Sequence, residues 1–205
     1  MTNTVQFFFD PTCPWTWLTS RWLVDVAGQL NLEVEWRSLS LALVNADREV
    51  PEKYRAPMQA GKAALRLVEA GREAGRPEQV GRYYTELGTR LHHDGAEPRW
   101  PWSPRWPGRP VSATSPGPST TRGGTAPLPT PTTRPPRRRV PAWARPVVVP
   151  PGATIGFFGP IVSPPPTGDA AASLWRLVIA AVTMPGLYEL KRGRTSGPQL
   201  GGRPA

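Results

Sequence analysis

Twenty of the 28 prolines of this 205-residue chain fall between residues 98 and 168, and they decide where an ordered domain can be built. Each proline removes a backbone donor and disfavours helix for itself and for the residue before it. From Arg99 to Arg145 a proline stands every few residues, with no acid and with neither helical nor strand periodicity. Composition assigns that stretch to irregular or polyproline-type chain, so the ordered part must come from the flanks. The charge follows the same partition. A net charge of +10 would by itself point to a polyanionic partner. Counted by segment, it is −2 over residues 1–97, +9 over 98–168 and +3 over 169–205. The basicity belongs to the proline-rich stretch, and nucleic acid is not expected as a partner of the flanks. One cysteine excludes an internal disulfide framework and a Cys-based zinc site, and no metal is expected. No apolar run reaches the roughly 18 residues of a membrane span. The first residues, Met1 to Val5, lack the basic region of a signal peptide, so a cytoplasmic protein without membrane partners is expected.

The flanks read as regular structure. Val5 to Phe9 is a short apolar, β-favouring run, broken by Asp10-Pro11-Thr12. From Pro14 or Trp15 to about Gln29 the apolar residues Trp15, Leu18, Trp22, Leu23, Val26 and Leu30 recur at helical spacing. Leu32 to Leu39 alternates, with Leu32, Val34 and Trp36 on one face. Strand, helix, strand at this connection length predicts two parallel strands with a right-handed crossover. Residues 51–95 read as helices interrupted at Gly75-Arg76-Pro77, the second with Val80, Tyr83, Tyr84, Leu87 and Leu91 on its apolar side. After the proline-rich stretch, Val147–Val149 and Thr154–Phe158 read as a β-hairpin around Pro150-Pro151-Gly152-Ala153, and Gly168-Asp169 opens a helix to about Thr183, with Ala172, Trp175, Leu177, Val178, Ala181 and Val182 supplying apolar surface.

Without residues 51–145 the order is strand, helix, strand, strand, strand, helix. This is the order of an α/β, thioredoxin-like fold with a helical insertion, here joined to a Pro/Arg-rich irregular segment. Residues 1–50 and 146–190 form the two parts of the thioredoxin-like domain. Residues 51–97 are the helical insertion, 98–145 the Pro/Arg-rich segment, and 191–205 a polar, loose tail.

Cys13-Pro14-Trp15-Thr16 falls between the first strand and the first helix. The N–H groups and dipole of a helix N-terminus stabilise a thiolate, the reactive form in thiol–disulfide exchange. Pro14 suits the first helical position, where its missing N–H costs nothing. The alternative for Cys13 is a buried structural role; the strand before it and the helix after it favour the reactive one. Trp15 and Trp17 line a substrate site or pack in the core, two readings that helical spacing leaves open. His92 and His93 can approach the thiol from the insertion. Adjacent helix residues face different ways, so a metal pair is not expected, and a solvated helix end is the simpler reading.

The segment from Phe8 to Leu23, with Cys13-Pro14-Trp15-Thr16 at its centre, resembles the active-site segment of the DsbA-like thioredoxin superfamily, and more narrowly the mycothiol-dependent nitroreductase family. The resemblance continues through Ser38-Leu39-Ser40-Leu41, Asn45, Pro51-Glu52-Lys53-Tyr54-Arg55 and Leu87 to His92. It resumes at Gly156 to Pro164 and at Pro185 to Arg192. It implies Cys13 as the catalytic nucleophile, with mycothiol or a similar low-molecular-weight thiol as cosubstrate and no tightly bound cofactor. It further implies a small electrophile, such as a nitro compound, or a disulfide as the molecule reduced. Some relatives carry a second cysteine where this chain has Thr16; here only a monothiol route through a mixed disulfide remains. Thr16 is a candidate donor to the Cys13 sulfur, with capping and solvation as its other roles. Pro146 occupies the place of the cis-proline that faces the cysteine in such folds, with Arg145 an unusual neighbour. Trp17 and His92 are candidate substrate-lining residues. A homodimer is one assembly open to the chain.

Between Pro98 and Pro146 the resemblance stops. Pro, Arg, Gly and Ala have GC-rich codons, and family-like sequence continues on both sides, so two compensating shifts of reading frame account for residues 99–145. The rival is a native Arg/Pro-rich insertion that binds nucleic acid or an SH3-type partner. Two other functions stay open for the whole chain: a thiol transferase or isomerase of the kappa-class and chromene-carboxylate isomerase type, or a non-catalytic damaged homologue.

Overall fold

A computed structural model describes residues 3–97 and 146–204. The expectations for residues 98–145 lie outside the described residues. The N-terminal unit is β1 (Thr4–Phe9), α1 (Pro14–Leu30) and β2 (Glu33–Ser38), within a residue or two of the positions read from the sequence. β1 and β2 are parallel, with Val5 beside Val34 and Phe9 beside Ser38. α2 (Leu41–Val44) follows β2, and the helical insertion comprises α3 (Glu52–Glu73), a 3-10 turn at Pro77–Gln79, and α4 (Val80–His92). β3 (Val147–Val149), β4 (Phe157–Phe158) and α5 (Gly168–Thr183) complete the domain. The sheet order is β2-β1-β3-β4, with β3 antiparallel to both β1 and β4. This mixed sheet with its helices is thioredoxin-like.

Period two in β1 sends Val5, Phe7 and Phe9 to the main core and Phe8 to a smaller cluster with Leu39, Val147 and Val149 on the other face. The main core joins β1 to α1, α3, α4 and α5. Trp22 of α1 packs 6.2 Å from Trp175 of α5 and donates its indole N–H to the Ala171 carbonyl at 3.1 Å. Trp36 of β2 meets Phe7, Phe9 and Tyr84 edge-on, and thus couples the sheet to α4.

Three details differ from expectation. The second hairpin strand pairs only over Phe157–Phe158, and Gly156 before it packs close on Val147, where a Cβ would lie 2.6 Å from the valine side chain. Leu177, expected to supply apolar surface in α5, is exposed. The segment after Lys191 has no helix or strand among its described residues, but it is anchored. Leu200 packs on the core, the Gln199 N–H donates to Ser163 Oγ at 2.8 Å, and Arg203 grips Asp94 with Nε and Nη2 at 3.0 and 3.1 Å.

α4 approaches α1 most closely at Gly88, where a Cβ would lie 2.2 Å from the Trp17 ring. Trp17 is fully buried and cannot give way. Gly88→Ala is therefore expected to lose about 1–3 kcal/mol in urea unfolding, the usual penalty of overpacking. Gly28→Ala, in α1 with nothing within 4 Å of the new methyl, gains about 0.5–1 kcal/mol in the same assay.

Candidate active site

Cys13 is the N-cap residue of α1, with extended backbone (φ −88°, ψ 112°), and Pro14 takes the first helical position. The Trp17 N–H donates to the Cys13 carbonyl at 3.0 Å and starts the helix ladder. The preceding turn is closed by the Cys13 N–H donating to the Asp10 carbonyl at 3.2 Å. Cys13 is almost fully buried.

The Asp10 side chain, also buried, organises the turn. Its Oδ1 accepts from the Thr12 N–H at 2.9 Å and from Thr12 Oγ1 at 2.7 Å. Its Oδ2 accepts from the Leu41 N–H, at the start of α2, at 2.8 Å. α3 crosses directly over it: a Cβ at Gly61 would lie 2.6 Å from Asp10 Oδ1 and 2.8 Å from Thr12 Oγ1. Burial pushes the Asp10 carboxyl above the usual carboxylate range, while the three hydrogen bonds pull the other way.

The third element on the turn is the C-terminal end of α4, and here the structure corrects the sequence reading. His92 is not at a solvated helix end. Its Nε2 lies 2.9 Å from the Pro11 carbonyl, and its ring packs 5.6 Å from Trp17 at 31°. A carbonyl only accepts, so Nε2 carries the proton and donates. Burial pulls the His92 pKa down to about 4; His93 acts in the same direction and the bond to Pro11 opposes it. His93 meets the Trp17 ring edge-on and accepts from its indole N–H at 3.3 Å. The adjacent histidines thus engage the indole differently, His92 tilted over the ring and His93 at its N–H edge. Among the described residues there is no group of three or more His, Cys, Asp or Glu that could hold a metal.

Trp17 therefore packs rather than lines. It is enclosed by Tyr84, the two histidines and Arg21, whose guanidinium lies 4.2 Å from the ring centroid. Arg21 donates through Nη1 to Thr85 Oγ1 and through Nε to Ser20 Oγ, and burial lowers its pKa from the usual value. Thr16, in the first turn of α1, is buried. Trp15 is half-buried, with the Arg194 guanidinium 4.8 Å from its ring centroid. Pro146 is buried at the start of β3, where the register with β1 sets it level with Phe9, and its carbonyl accepts from the Gly159 N–H at 2.9 Å. Its bond to Arg145 lies outside the described residues. Cis X–Pro bonds stand at Gly159–Pro160 and Ser163–Pro164, and the Pro160 carbonyl accepts from Thr19 Oγ1 of α1 at 2.7 Å.

Sequence reasoning missed Asp10, Gly61 and Tyr84 as site residues. Tyr84 reads as one apolar position of α4, yet its phenol feels the charges of Cys13 and Asp10, which add to burial in raising its pKa. Asp10 reads as a strand breaker; its only signal is an acid directly between an apolar strand and a cysteine turn. A cavity of about 760 Å³ among Val24, Trp36, Arg82, Asp94 and Arg203 is separate from these residues; neither Cys13 nor His92 lines it.

The fold and site define a thioredoxin-like domain with one cysteine at the head of its first helix and inserted helices braced against the cysteine turn. Residues 12–99 and 143–192 match the Rv2466c-like family, described as mycothiol-dependent nitroreductase Rv2466c, and the chain belongs to that family. The family is thus one of thiol-dependent oxidoreductases. The uncharacterized protein Rv2286c of Mycobacterium tuberculosis (strain ATCC 25618 / H37Rv) is 30% identical over 200 residues, which cover 94% of this chain and 83% of the relative. No helix among the described residues is long and apolar enough to cross a membrane.

Two measurements check this anatomy. Asp10→Ala leaves the buried Leu41 N–H without its acceptor, and is expected to lose about 1–3 kcal/mol in urea unfolding on that account alone. The second concerns pH. The folded His92 pKa of about 4 lies below the ordinary 6.5, so the unfolded chain binds more protons between these values. The contribution of His92 to stability is then complete above the ordinary value and is lost as pH falls toward the folded one. Thermal unfolding across that window should show this loss in the native chain and a shallower slope in His92→Gln.

Proposed function

We propose that the chain is a monothiol oxidoreductase in which the Cys13 thiolate works through a mixed disulfide with mycothiol. The supporting observation is the setting of Cys13 within the family match: an N-cap position on a 17-residue helix, ahead of a proline that withdraws no needed donor. The first-turn N–H groups of Trp15 and Thr16 point toward the helix start, where positive potential favours an anion. The approach turn is held from within by Asp10 and from α4 by His92, with α3 passing close over it at Gly61.

In the proposed cycle the Cys13 thiolate attacks one sulfur of a disulfide, forms a Cys13 mixed disulfide and expels the other sulfur as a thiolate, which takes a proton. A mycothiol thiolate then attacks the outer sulfur of the mixed disulfide and releases Cys13. No second cysteine is present to resolve the intermediate internally. With a nitro compound as oxidant, two thiols become one disulfide while the nitro group becomes nitroso and one water leaves. The setting is cytoplasmic, where a thiol pool keeps Cys13 reduced.

Incubation with oxidised mycothiol followed by intact-protein mass spectrometry tests the reading. One mycothiol adduct per chain is expected, mapped to Cys13, reversed by a dithiol reductant, and missing in Cys13→Ser. Failure of the native chain to form an adduct at any pH overturns it.

A further inference from the structure

We infer that His92 is a positioning residue for Cys13, acting through the peptide group that joins Pro11 to Thr12. The inference rests on the reading of Cys13 as the nucleophile, and the observation that carries it is a grip on both edges of one peptide plane. On one edge the Pro11 carbonyl receives the His92 Nε2 proton at 2.9 Å. On the other edge the Thr12 N–H donates to Asp10 Oδ1 at 2.9 Å. Peptide groups are planar, and in a trans peptide the carbonyl and N–H point in opposite directions. The two bonds therefore act as a couple across one rigid plate. They fix its rotation, and with it the backbone that leads into Cys13.

The two grips come from different parts of the chain. Asp10 is local, two residues before Thr12. His92 belongs to the last turn of α4 in the helical insertion, 81 residues from its partner. α4 is itself held in place beside the turn. Gly88, one turn earlier, lies against Trp17, and His93, one residue later, accepts the Trp17 indole N–H. The His92 ring also lies over Trp17. The imidazole thus has its orientation set by an indole that belongs to the same helix as the cysteine turn.

The consequence is chemical. Cys13 must keep its extended N-cap conformation for its sulfur to remain at the open end of α1, in the positive potential of the first-turn N–H groups. With one edge of the preceding plate released, the turn swings about the Asp10 bond, and the sulfur spends part of its time away from those donors. The thiolate then loses stabilisation, although α1 and the core remain intact.

The test is the pH profile of Cys13 alkylation by iodoacetamide in the full chain, compared among the native protein, H92F and H92Q, with thermal unfolding of each as a control. Phenylalanine keeps a ring over Trp17 and removes the donor; glutamine restores an N–H donor. In H92F the apparent Cys13 pKa is expected to rise by about one unit, which slows alkylation roughly tenfold on the acid side of the titration. H92Q is expected to recover most of that loss. A folded H92F with the native profile overturns the inference. So does an H92Q that unfolds like the native protein yet alkylates like H92F, because the effect would then belong to the ring and not to the hydrogen bond. Should H92F not fold, H92M against H92Q makes the same comparison, since only glutamine carries a donor. Failure of the native chain to take up mycothiol would remove the proposed function and leave this comparison standing. Coincident profiles would remove the role of His92 and leave the mixed disulfide standing.

Discussion

A buried carboxylate ties the cysteine turn to the rest of the molecule. Asp10 gives one oxygen to Thr12 and the other to the first N–H of α2, and so satisfies donors on both sides of the crossing from strand to insertion. Burying a carboxyl is costly unless its lone pairs are used. Here three donors use them, and α3 can pass over the group only because residue 61 has no side chain. The raised pKa of Asp10 shows that desolvation outweighs those bonds in the balance between its charged and neutral forms.

The two parts of the fold divide the work. The strand and helix of the thioredoxin-like part bring Cys13 to the C-terminal end of the inner strand β1 and supply the helix end behind it. The insertion packs on the turn through Gly61 and His92, while Leu41 at the start of α2 donates to Asp10. Trp17 joins the parts. It belongs to α1 but packs on Tyr84 and between the histidines of α4. A core residue of the scaffold thereby becomes the platform for a side chain that reaches the site.

Much of this was legible in the sequence, and the limits have physical causes. The alternation of Leu32, Val34 and Trp36 and the helical spacing of Leu18, Trp22 and Val26 located β2 and α1, because in each element one apolar face repeats with the period of the backbone. Trp17 lay off that stripe and its environment could not be read: α1 buries a second face, and nothing local to residues 14–30 tells of α4. The four-residue helix α2 was missed because it is too short to show a period. The position of Cys13 at a helix N-terminus was legible because it follows from local order, strand before and helix after. His92 could be named only as a candidate near the thiol; its bond to the turn was not legible, because it depends on a carbonyl 81 residues away. Where no period exists, in residues 99–145, the sequence supports only a statement of composition, and the family match likewise omits residues 100–142.

The burial of α1 on two faces, against α5 through Trp22 and against α4 through Trp17, leaves its first turn no independent freedom. Sulfur exchange proceeds along a line through attacking, central and departing sulfurs. A nucleophile that cannot swing fixes that line in the frame of the protein. With Cys13 as the proposed nucleophile, selectivity would become a matter of trajectory: molecules would be sorted by whether their reactive bond can be aligned with a stationary sulfur, ahead of any contact made by the rest of their structure.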